Sequence, residues 1–327
     1  MIACALAVTC CTAIAADAPP LPKEVTKIAF GSCLKQDKPA PILNTIADAK
    51  PDVFIWLGDN IYGDSEDPAV IKAKYQLLAD KPEFQKLRQT VPFLYIWDDH
   101  DYGQNDAGAE YKAKAQNKEI MLDFFGEPKE SARRKREGNY DSVIIGPEGR
   151  RVQFLLLDTR SFRSPLKSEV REKKKWYVPN DDPNATVLGE AQWKWLEEEL
   201  KKPAEVRIVC SSIQVLATGH RFEKWENHPK ERERLLTMID GKVDLILSGD
   251  RHHGGVYAFQ SPQKTIVEAT SSSLNQAGTA SPEDNSDRSR IRGPFEMGHF
   301  AVFEVRWDDA PLRAEFFDAG GKRIDRD

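Results

Sequence analysis

The sequence predicts a mixed α/β fold in which two mixed β-sheets lie between layers of helices. In the first half, apolar runs of strand length alternate with segments whose apolar residues recur at helical spacing. In the second half, strand-like runs follow one another closely, which is typical of antiparallel pairs. The 327 residues suffice for one large α/β domain or two small ones, and no shift in composition divides the chain.

The first half supplies the strands that we expect to form one of the sheets. Residues 25–33, 53–57 and 93–97 are apolar runs about as long as one buried strand. Residues 39–49 carry apolar side chains at helical spacing. Another helix is expected to begin at Pro68, because proline fits the first helical position.

The remaining chain predicts further helices, a hairpin and a strand-rich end. The hairpin comprises residues 140–145 and 152–157, and the following charged segment, 161–183, is interpreted as an exposed excursion near the site. Residues 281–293 are interpreted as a polar loop. The other predicted helices cover residues 109–125, 189–200 and 229–240. The other predicted strands cover residues 206–214, 243–247, 265–270, 299–307 and 312–317.

Side chains that bind metals directly follow several of these strands. Asp59 and Asp99 each follow a strand of the first half, whereas Asp250 and His252 follow a strand of the second half. The carboxyl ends of parallel strands meet at one sheet edge, where open α/β sheets bind ligands. One such Asp is often a turn residue or a helix cap, but several of them with a His predict a metal site. Asp59 is the predicted bridging ligand, because one carboxylate can touch two cations.

The residues around these ligands leave some choices open. Asp250 and His252 are two positions apart and point the same way on an extended chain, whereas His253 points the other way. Tyr62, three residues after Asp59, is either a ligand of a ferric ion or a packing residue.

Two further residues are candidates for catalysis. His100 has acidic neighbours on both sides, which favour its protonated form. A protonated histidine near a phosphoryl group can stabilise developing charge and protonate a leaving alkoxide; the alternative is a buried histidine with satisfied hydrogen bonds. Arg160 is either an anion clamp or, together with Asp158, a brace for the following loop.

The amino-terminal segment predicts export. Residues 1–16 are apolar and rich in small residues, which favours a secretory signal over a buried helix. The segment is too short for a membrane span, so we expect a periplasmic or secreted protein without stable membrane insertion. Cleavage would leave Cys33 and Cys210, which are either a disulfide or buried thiols. A sharper alternative makes Cys33 a metal-bound thiolate at the end of its strand.

The charge balance narrows the choice of partners. The formal net charge is −5, which argues against a specific nucleic-acid partner because phosphate backbones bind basic faces. The basic run at residues 133–136 is interpreted as a solvated loop. A small phosphate-ester substrate remains compatible where metals supply local positive charge. No pattern in the sequence predicts an oligomeric state.

Five motifs at the strand ends together carry a family resemblance. They are Gly31-Ser32-Cys33, Gly58-Asp59-Asn60-Ile61-Tyr62-Gly63-Asp64, Trp97-Asp98-Asp99-His100-Asp101, Leu157-Asp158-Thr159-Arg160 and Ser248-Gly249-Asp250-Arg251-His252. This set resembles the PhoD-like alkaline phosphatases, which belong to the calcineurin-like metallophosphoesterases. The resemblance implies a four-layer αββα sandwich in a single domain over residues 24–327. It also implies export and hydrolysis of phosphate monoesters or diesters.

The resemblance further implies a centre of Fe³⁺ and Ca²⁺, with other divalent metals as possible replacements. In that scheme Cys33 and Tyr62 bind the ferric ion, and Asp59 bridges to calcium. The residues implied at the other metal positions are Asp99, Asp250 and His252. The residues implied for the transition state and the phosphate are His100 and Arg160.

One departure from the family pattern affects the expected metals more than the expected reaction. The family often has Cys-x-Asp at the first strand, whereas here Lys35 follows Cys33 and Leu34. Either one iron ligand is missing or Asp37 replaces it, and Lys35 could instead neutralise a bound phosphate.

The leading hypothesis is a metal-dependent phosphoester hydrolase. The alternatives are a phosphodiesterase or phospholipase-type esterase with the same centre, and a non-catalytic relative that binds metal or phosphate.

Overall fold

The computed structural model describes residues 18–307 and 312–325, so the predicted signal at 1–16 lies outside the described residues. The strands are β1 (Lys27–Gly31), β2 (Val53–Leu57), β3 (Phe93–Ile96), β4 (Asp141–Ile145), β5 (Val152–Leu156), β6 (Lys167–Arg171), β7 (Lys174–Val178), β8 (Val206–Cys210), β9 (Leu245–Ser248), β10 (Gly254–Gln260), β11 (Thr265–Thr270), β12 (Arg290–Phe295), β13 (His299–Glu304) and β14 (Glu315–Asp318). The helices are α1 (Ile42–Ala49), α2 (Pro68–Ala79), α3 (Pro82–Thr90), α4 (Asp99–Tyr102), α5 (Lys114–Phe125), α6 (Ala132–Lys135), α7 (Gly189–Glu199), α8 (Pro229–Ile239) and α9 (Pro282–Asn285).

Two large sheets form the centre of the described chain. The first has the order β14-β13-β1-β2-β3, and the second has the order β12-β10-β11-β9-β8-β5-β4. In the first sheet β1, β2 and β3 are parallel, and β13 and β14 run antiparallel. In the second sheet β5, β8, β9 and β11 are parallel, with antiparallel strands on either side. Both sheets are therefore mixed, as the sequence predicts.

The strand β2 shows how the sequence generates the layers. Val53, Ile55 and Leu57 point into the core between the two sheets. Phe54 and Trp56 point the other way, into the core beneath the helices. Since both faces are buried, the strand reads as an unbroken apolar run rather than an alternating one.

Helices cover the outer face of each sheet. Leu43 of α1, Ile71 of α2 and Phe84 of α3 pack in the core outside the first sheet. Trp193 of α7 and Leu235 of α8 pack in the core outside the second sheet. The order helix, sheet, sheet, helix is the four-layer αββα sandwich that the family resemblance implies.

Of two predicted helix starts, the one at Pro68 is confirmed and the one at residue 109 is not. The Asp67 side chain accepts a hydrogen bond from the Ala69 backbone N–H at 2.8 Å, and Pro68 occupies the first helical position. The helix expected over 109–125 begins only at Lys114.

The loop predicted at residues 281–293 is wrong, and the strands β6, β7, β10 and β12 were not predicted. Residues 281–293 contain the short helix α9 and most of β12, an edge strand whose polar residues conceal its pairing with β10. The excursion at 161–183 contains a two-stranded hairpin, β6 and β7. The strand β10 was missed because it begins with two glycines, which are depleted in strands.

Candidate metal centre

The predicted ligands meet at one edge shared by the two sheets. Cys33 follows β1, Asp59 follows β2, Asp99 follows β3, and Asp250 and His252 follow β9. These strands belong to both sheets, so the site lies where the two sheet edges face each other. Each of the other four side chains has a donor atom within 4.8 Å of a donor atom of Asp59, so the expected convergence of the strand ends is observed.

A first group of donors, which we call the thiolate pocket, comprises Cys33, Asp59, Tyr62 and His252. The Cys33 thiol donates to Asp59 Oδ2 at 3.3 Å, and the Tyr62 hydroxyl lies 3.4 Å from the same oxygen. The Tyr62 hydroxyl also lies 2.9 Å from His252 Nε2. Sulfur, phenol and imidazole donors with one carboxylate suit a transition metal rather than an alkaline-earth ion.

A second group, the carboxylate pocket, comprises Asp59, Asp98, Asp99 and Asp250. One oxygen from each lies within 4.8 Å of the others. A site made only of oxygen donors suits a hard cation such as Ca²⁺, Mg²⁺ or Mn²⁺. Because Asp59 belongs to both pockets, the geometry provides the bridging carboxylate that a two-metal site requires.

The backbone is strained where these ligands attach. Cys33, Asp59, Asp250 and His252 have φ values of 60°, 51°, 69° and 57°. Residues other than glycine rarely adopt this left-handed region, and such strain concentrates at functional sites. At Gly58 a side chain is excluded as well, because an added Cβ would lie 2.5 Å from Asp98 Cβ.

The acids of the carboxylate pocket differ in their electrostatics. Burial favours the neutral form of Asp99, but the positive charges of Arg160 and His100 outweigh it and lower the pKa of Asp99 to about 2, whereas the pKa values of Asp98 and Asp250 are raised. Burial, with the negative charges of Asp98 and Asp99, raises the pKa of Asp250 well above its usual range. Burial also raises the pKa of Asp98 to about 7 and that of the Cys33 thiol to about 12. Asp98 Oδ2 is buried without a hydrogen-bond partner among the described residues. Such clustered acids bind protons or cations, so these residues fit metal ions.

His100 lies at the edge of the carboxylate pocket. Its backbone N–H donates to Asp99 Oδ1 at 2.9 Å, and its ring Nδ1 lies 2.7 Å from Asp64 Oδ1. One ring nitrogen lies within 4.8 Å of oxygens of Asp59 and Asp99. Burial opposes protonation, but the charges of Asp99 and Asp64 outweigh it and raise the His100 pKa to about 9. The imidazole is therefore cationic at neutral pH.

Arg160 lies beneath the pocket in a buried ion-pair network. Its Nε donates to Asp98 Oδ1 at 2.6 Å, and another guanidinium nitrogen lies 2.5 Å from Glu223 Oε2. Its backbone N–H donates to Asp158 Oδ1, which also accepts the Ser161 N–H. The guanidinium is fully buried, and these contacts favour the bracing alternative over a phosphate clamp.

Asp98, Asp101 and Ser272 contribute to the site, although sequence reasoning did not select them. Asp101 accepts the backbone N–H groups of Asp98 at 2.7 Å and Asp59 at 3.2 Å, which shapes both loops. The Ser272 hydroxyl lies 3.1 Å from the Cys33 sulfur. The motif at 97–101 contains three aspartates and does not show which of them would face the pocket. Ser272 follows β11 at the same sheet edge.

The other candidate ligands lie elsewhere. His253 is buried, with Nε2 3.4 Å from Asp284, and His220 and His228 are buried rather than at the surface. Asp37, the possible replacement ligand, is exposed and belongs to none of the donor groups. Cys33 and Cys210 are both free thiols, so they do not form the disulfide that was one alternative.

Within the described residues, every helix is too short or too polar to cross a membrane.

Comparisons with solved structures agree with this architecture. The chain is similar to PhoD, with 17% identity and a TM-score of 0.70 over 95% of this chain and 73% of that chain. It is also similar to purple acid phosphatase PPD1 from yellow lupin (Lupinus luteus), with 14% identity and a TM-score of 0.63 over 94% of this chain and 54% of that chain. A third similar structure is GAP50, the anchor in the inner membrane complex of Plasmodium, with 16% identity and a TM-score of 0.61 over 92% and 87% of the two chains.

Sequence comparison identifies the family. No curated protein sequence matches the chain. However, the model of the PhoD-like phosphatase family matches residues 28–299, which include every residue of the thiolate and carboxylate pockets. The chain therefore belongs to the PhoD-like phosphatase family.

Proposed function

We propose that this protein is an exported hydrolase that releases phosphate from phosphomonoesters, phosphodiesters or both. Membership of the PhoD-like phosphatase family supports a metal-dependent phosphoester hydrolase. The observation that carries the proposal is the position of Asp59 in both the thiolate and the carboxylate pockets. The signal-like composition of residues 1–16 supports export to the periplasm or the exterior.

The two pockets differ in a way that supports two different metals. The thiolate pocket would hold Fe³⁺ through Cys33, Tyr62 and His252, with Asp59 shared. The carboxylate pocket, with its oxygen donors, would hold Ca²⁺ or another hard divalent ion. When bound, such a cation pair supplies positive charge for the phosphoryl oxygens and lowers the pKa of water enough to make hydroxide available near neutral pH.

His100 supplies a proton at the rim of this centre. Because Nδ1 is held by Asp64 at 2.7 Å, Nε2 is the nitrogen available to a substrate. With a pKa of about 9, the imidazolium can donate to the leaving oxygen and stabilise the charge that develops there. The imidazole also packs against the Tyr62 ring, at a centroid distance of 4.2 Å and an interplanar angle of 36°.

Lys35 provides a second positive group beside the thiolate pocket. Its Nζ lies 6.0 Å from the centre of the Tyr62 ring. Its backbone is fixed by two hydrogen bonds with the Asn275 side chain, at 2.6 and 3.0 Å. Lys35 forms no ion pair within the described chain, so its charge is available to a phosphate.

The test is a substrate panel on metal-loaded and metal-stripped protein. p-Nitrophenyl phosphate reports monoester hydrolysis, and bis(p-nitrophenyl) phosphate reports diester hydrolysis. We expect turnover of at least one substrate that depends on metal and is lost in Asp59→Asn. The matched control is Asp37→Asn, which removes an exposed acid from the neighbouring loop and should keep wild-type turnover.

A metal-binding protein without catalysis is the second candidate. The observation that favours it is Lys35, which stands where the family pattern often has an acidic ligand. Tightly bound metal without turnover of either ester would establish the binder and refute the hydrolase.

A further inference from the structure

The hairpin of β6 and β7 stands apart from both main sheets. Residues 167–175 are exposed throughout. They include four lysines and one arginine against two glutamates, in a chain whose net charge is −5. The hairpin is therefore a concentrated positive surface on an acidic protein.

Folding does not account for this hairpin. Glu172 and Lys173 form the two-residue turn between the paired Arg171 and Lys174, with φ values of 49° and 63°. Such turns favour glycine, asparagine or aspartate, so Glu172 and Lys173 are strained there. An isolated two-stranded hairpin is marginally stable in water, so this one must be held by its contacts at the base.

Those contacts lead directly to the metal centre. The Tyr177 hydroxyl donates to Asp106 Oδ2 at 2.5 Å. The Asp106 backbone N–H donates to Asp99 Oδ2 at 2.7 Å, in the carboxylate pocket. Lys175 Nζ donates to the Tyr177 hydroxyl at 2.7 Å. The base of the hairpin thus lies two hydrogen bonds from a metal ligand.

We propose that this hairpin binds substrates that carry further negative charges beyond the phosphate ester that is cut, such as chains of linked phosphodiesters. The inference rests on the proposed function. It follows from charge complementarity and proximity: the hairpin is basic, and its base is hydrogen-bonded to Asp106, whose backbone N–H donates to Asp99. Clustered charge beside a site raises the local concentration of an oppositely charged substrate.

Charge, rather than apolar contact, dominates the surface that the hairpin presents. Val170 is its one strongly exposed large apolar residue, at 75%. Trp176 is half-buried, with the Arg171 guanidinium 4.9 Å from its ring centre. A membrane-binding hairpin would expose several apolar side chains for insertion, so a soluble polyanion fits better than a lipid surface.

The experiment compares kcat/KM of metal-loaded protein on two substrates. One is p-nitrophenyl phosphate, and the other is a ten-unit abasic deoxyribose phosphodiester with a terminal phosphate, which has no bases to recognise. The hairpin variant is K173E/K174E, with K173A/K174A as a milder second variant. The matched control is K201E/K202E after α7. These two lysines lie far from the metal centre, which is at the carboxyl ends of the parallel strands. Glu199, just before them, accepts a hydrogen bond through its carbonyl from Gln153, which is at the amino end of β5.

We expect the ratio of kcat/KM values, oligomer over small ester, to fall on the order of tenfold in K173E/K174E. The drop should be smaller in K173A/K174A and absent in K201E/K202E. In the wild type, added salt should lower the oligomer's kcat/KM more steeply than that of the small ester. An unchanged ratio in the hairpin variants, or an equal loss in the control, would overturn the proposal.

Two other outcomes separate this inference from its alternatives. If neither substrate is hydrolysed, the proposed function fails, and fluorescence anisotropy of the labelled oligomer still measures binding to the hairpin. Wild-type binding weakened about tenfold in K173E/K174E would then support the hairpin's role. If the wild type instead binds phosphatidylglycerol vesicles through the hairpin and shows no preference for the oligomer, the surface is a membrane contact and the proposal is wrong.

Discussion

Glu231 and Asp59 are both buried carboxylates, but their surroundings are opposite. Glu231 Oε2 accepts hydrogen bonds from the Thr186 hydroxyl and the Val187 N–H at 2.7 Å, and from Trp193 Nε1 at 2.9 Å. These donors satisfy the hydrogen-bonding capacity of the buried carboxylate within the helical layer. Glu231 of α8 thus binds the loop at Thr186 and Val187 and the helix α7 through hydrogen bonds, without a cation from solution.

Asp59 has only weak donors and several acidic neighbours. The Cys33 thiol and the Tyr62 hydroxyl lie at 3.3 and 3.4 Å, and Asp98, Asp99 and Asp250 lie within 4.8 Å. Burial and these negative neighbours raise its pKa well above the usual range. A buried acid with satisfied hydrogen bonds supports the fold, whereas a buried acid facing other acids indicates a cation site.

Among variants that keep their metals, the largest effect should come from a residue that borders the acids without belonging to either pocket. His100→Asn should lower kcat by about 10²–10⁴-fold, because it removes the proton donor. Metal content should stay at the wild-type level, as measured by elemental analysis of the same preparation. Loss of metal in this variant would show that His100 binds metal and would contradict its role as a proton donor.

In metal-free protein, replacing Glu231 and replacing Asp59 should have different effects on the free energy of unfolding. Glu231→Gln should lower the free energy of unfolding by about 1–3 kcal/mol, because it disturbs satisfied buried hydrogen bonds. Asp59→Asn should leave that energy unchanged or raise it, since it removes a repelling charge. Urea unfolding of chelator-treated proteins measures both. Equal destabilisation by both substitutions would contradict the claim that Glu231 stabilises the fold and Asp59 does not.

The stability of metal-free protein should fall as the pH rises from about 4, the ordinary pKa of an aspartate, to about 9. Burial raises the pKa of Asp98 to about 7 and that of Asp101 to about 8, and carboxylate neighbours raise the pKa of His100 to about 9. Each group binds its proton more tightly when folded, so its stabilisation is present at low pH and lost through these values. Thermal unfolding with and without chelator checks this, and a flat profile for metal-free protein would contradict it.

The smallest expected effect is a change in KM for the substrate. Lys35→Ala should raise KM for p-nitrophenyl phosphate about fivefold, about 1 kcal/mol, because a partly exposed charge is screened by water. The control is Lys38→Ala, an exposed lysine three residues further on that contacts Gln276. An unchanged KM for Lys35→Ala would show that its charge does not meet the phosphate.

The sequence predicted the layers and most ligands, because buried strands and the polar residues that end them are local patterns. Asp59 and Asp250 could be placed by this rule alone. Asp98 could not be distinguished from its neighbour Asp99, since the turn after β3 decides which oxygens face the pocket. The environment of Arg160 was equally hidden, because its partner Glu223 lies 63 residues away in a loop.

The central claim is that two cation pockets share Asp59. Elemental analysis of purified protein, wild type against Asp59→Asn, tests it most directly, with the Asp37→Asn protein as control. We predict about two metal equivalents per chain in the wild type and the control, and loss of metal together with turnover in Asp59→Asn. An Asp59→Asn protein that keeps both metals and wild-type turnover would contradict the account.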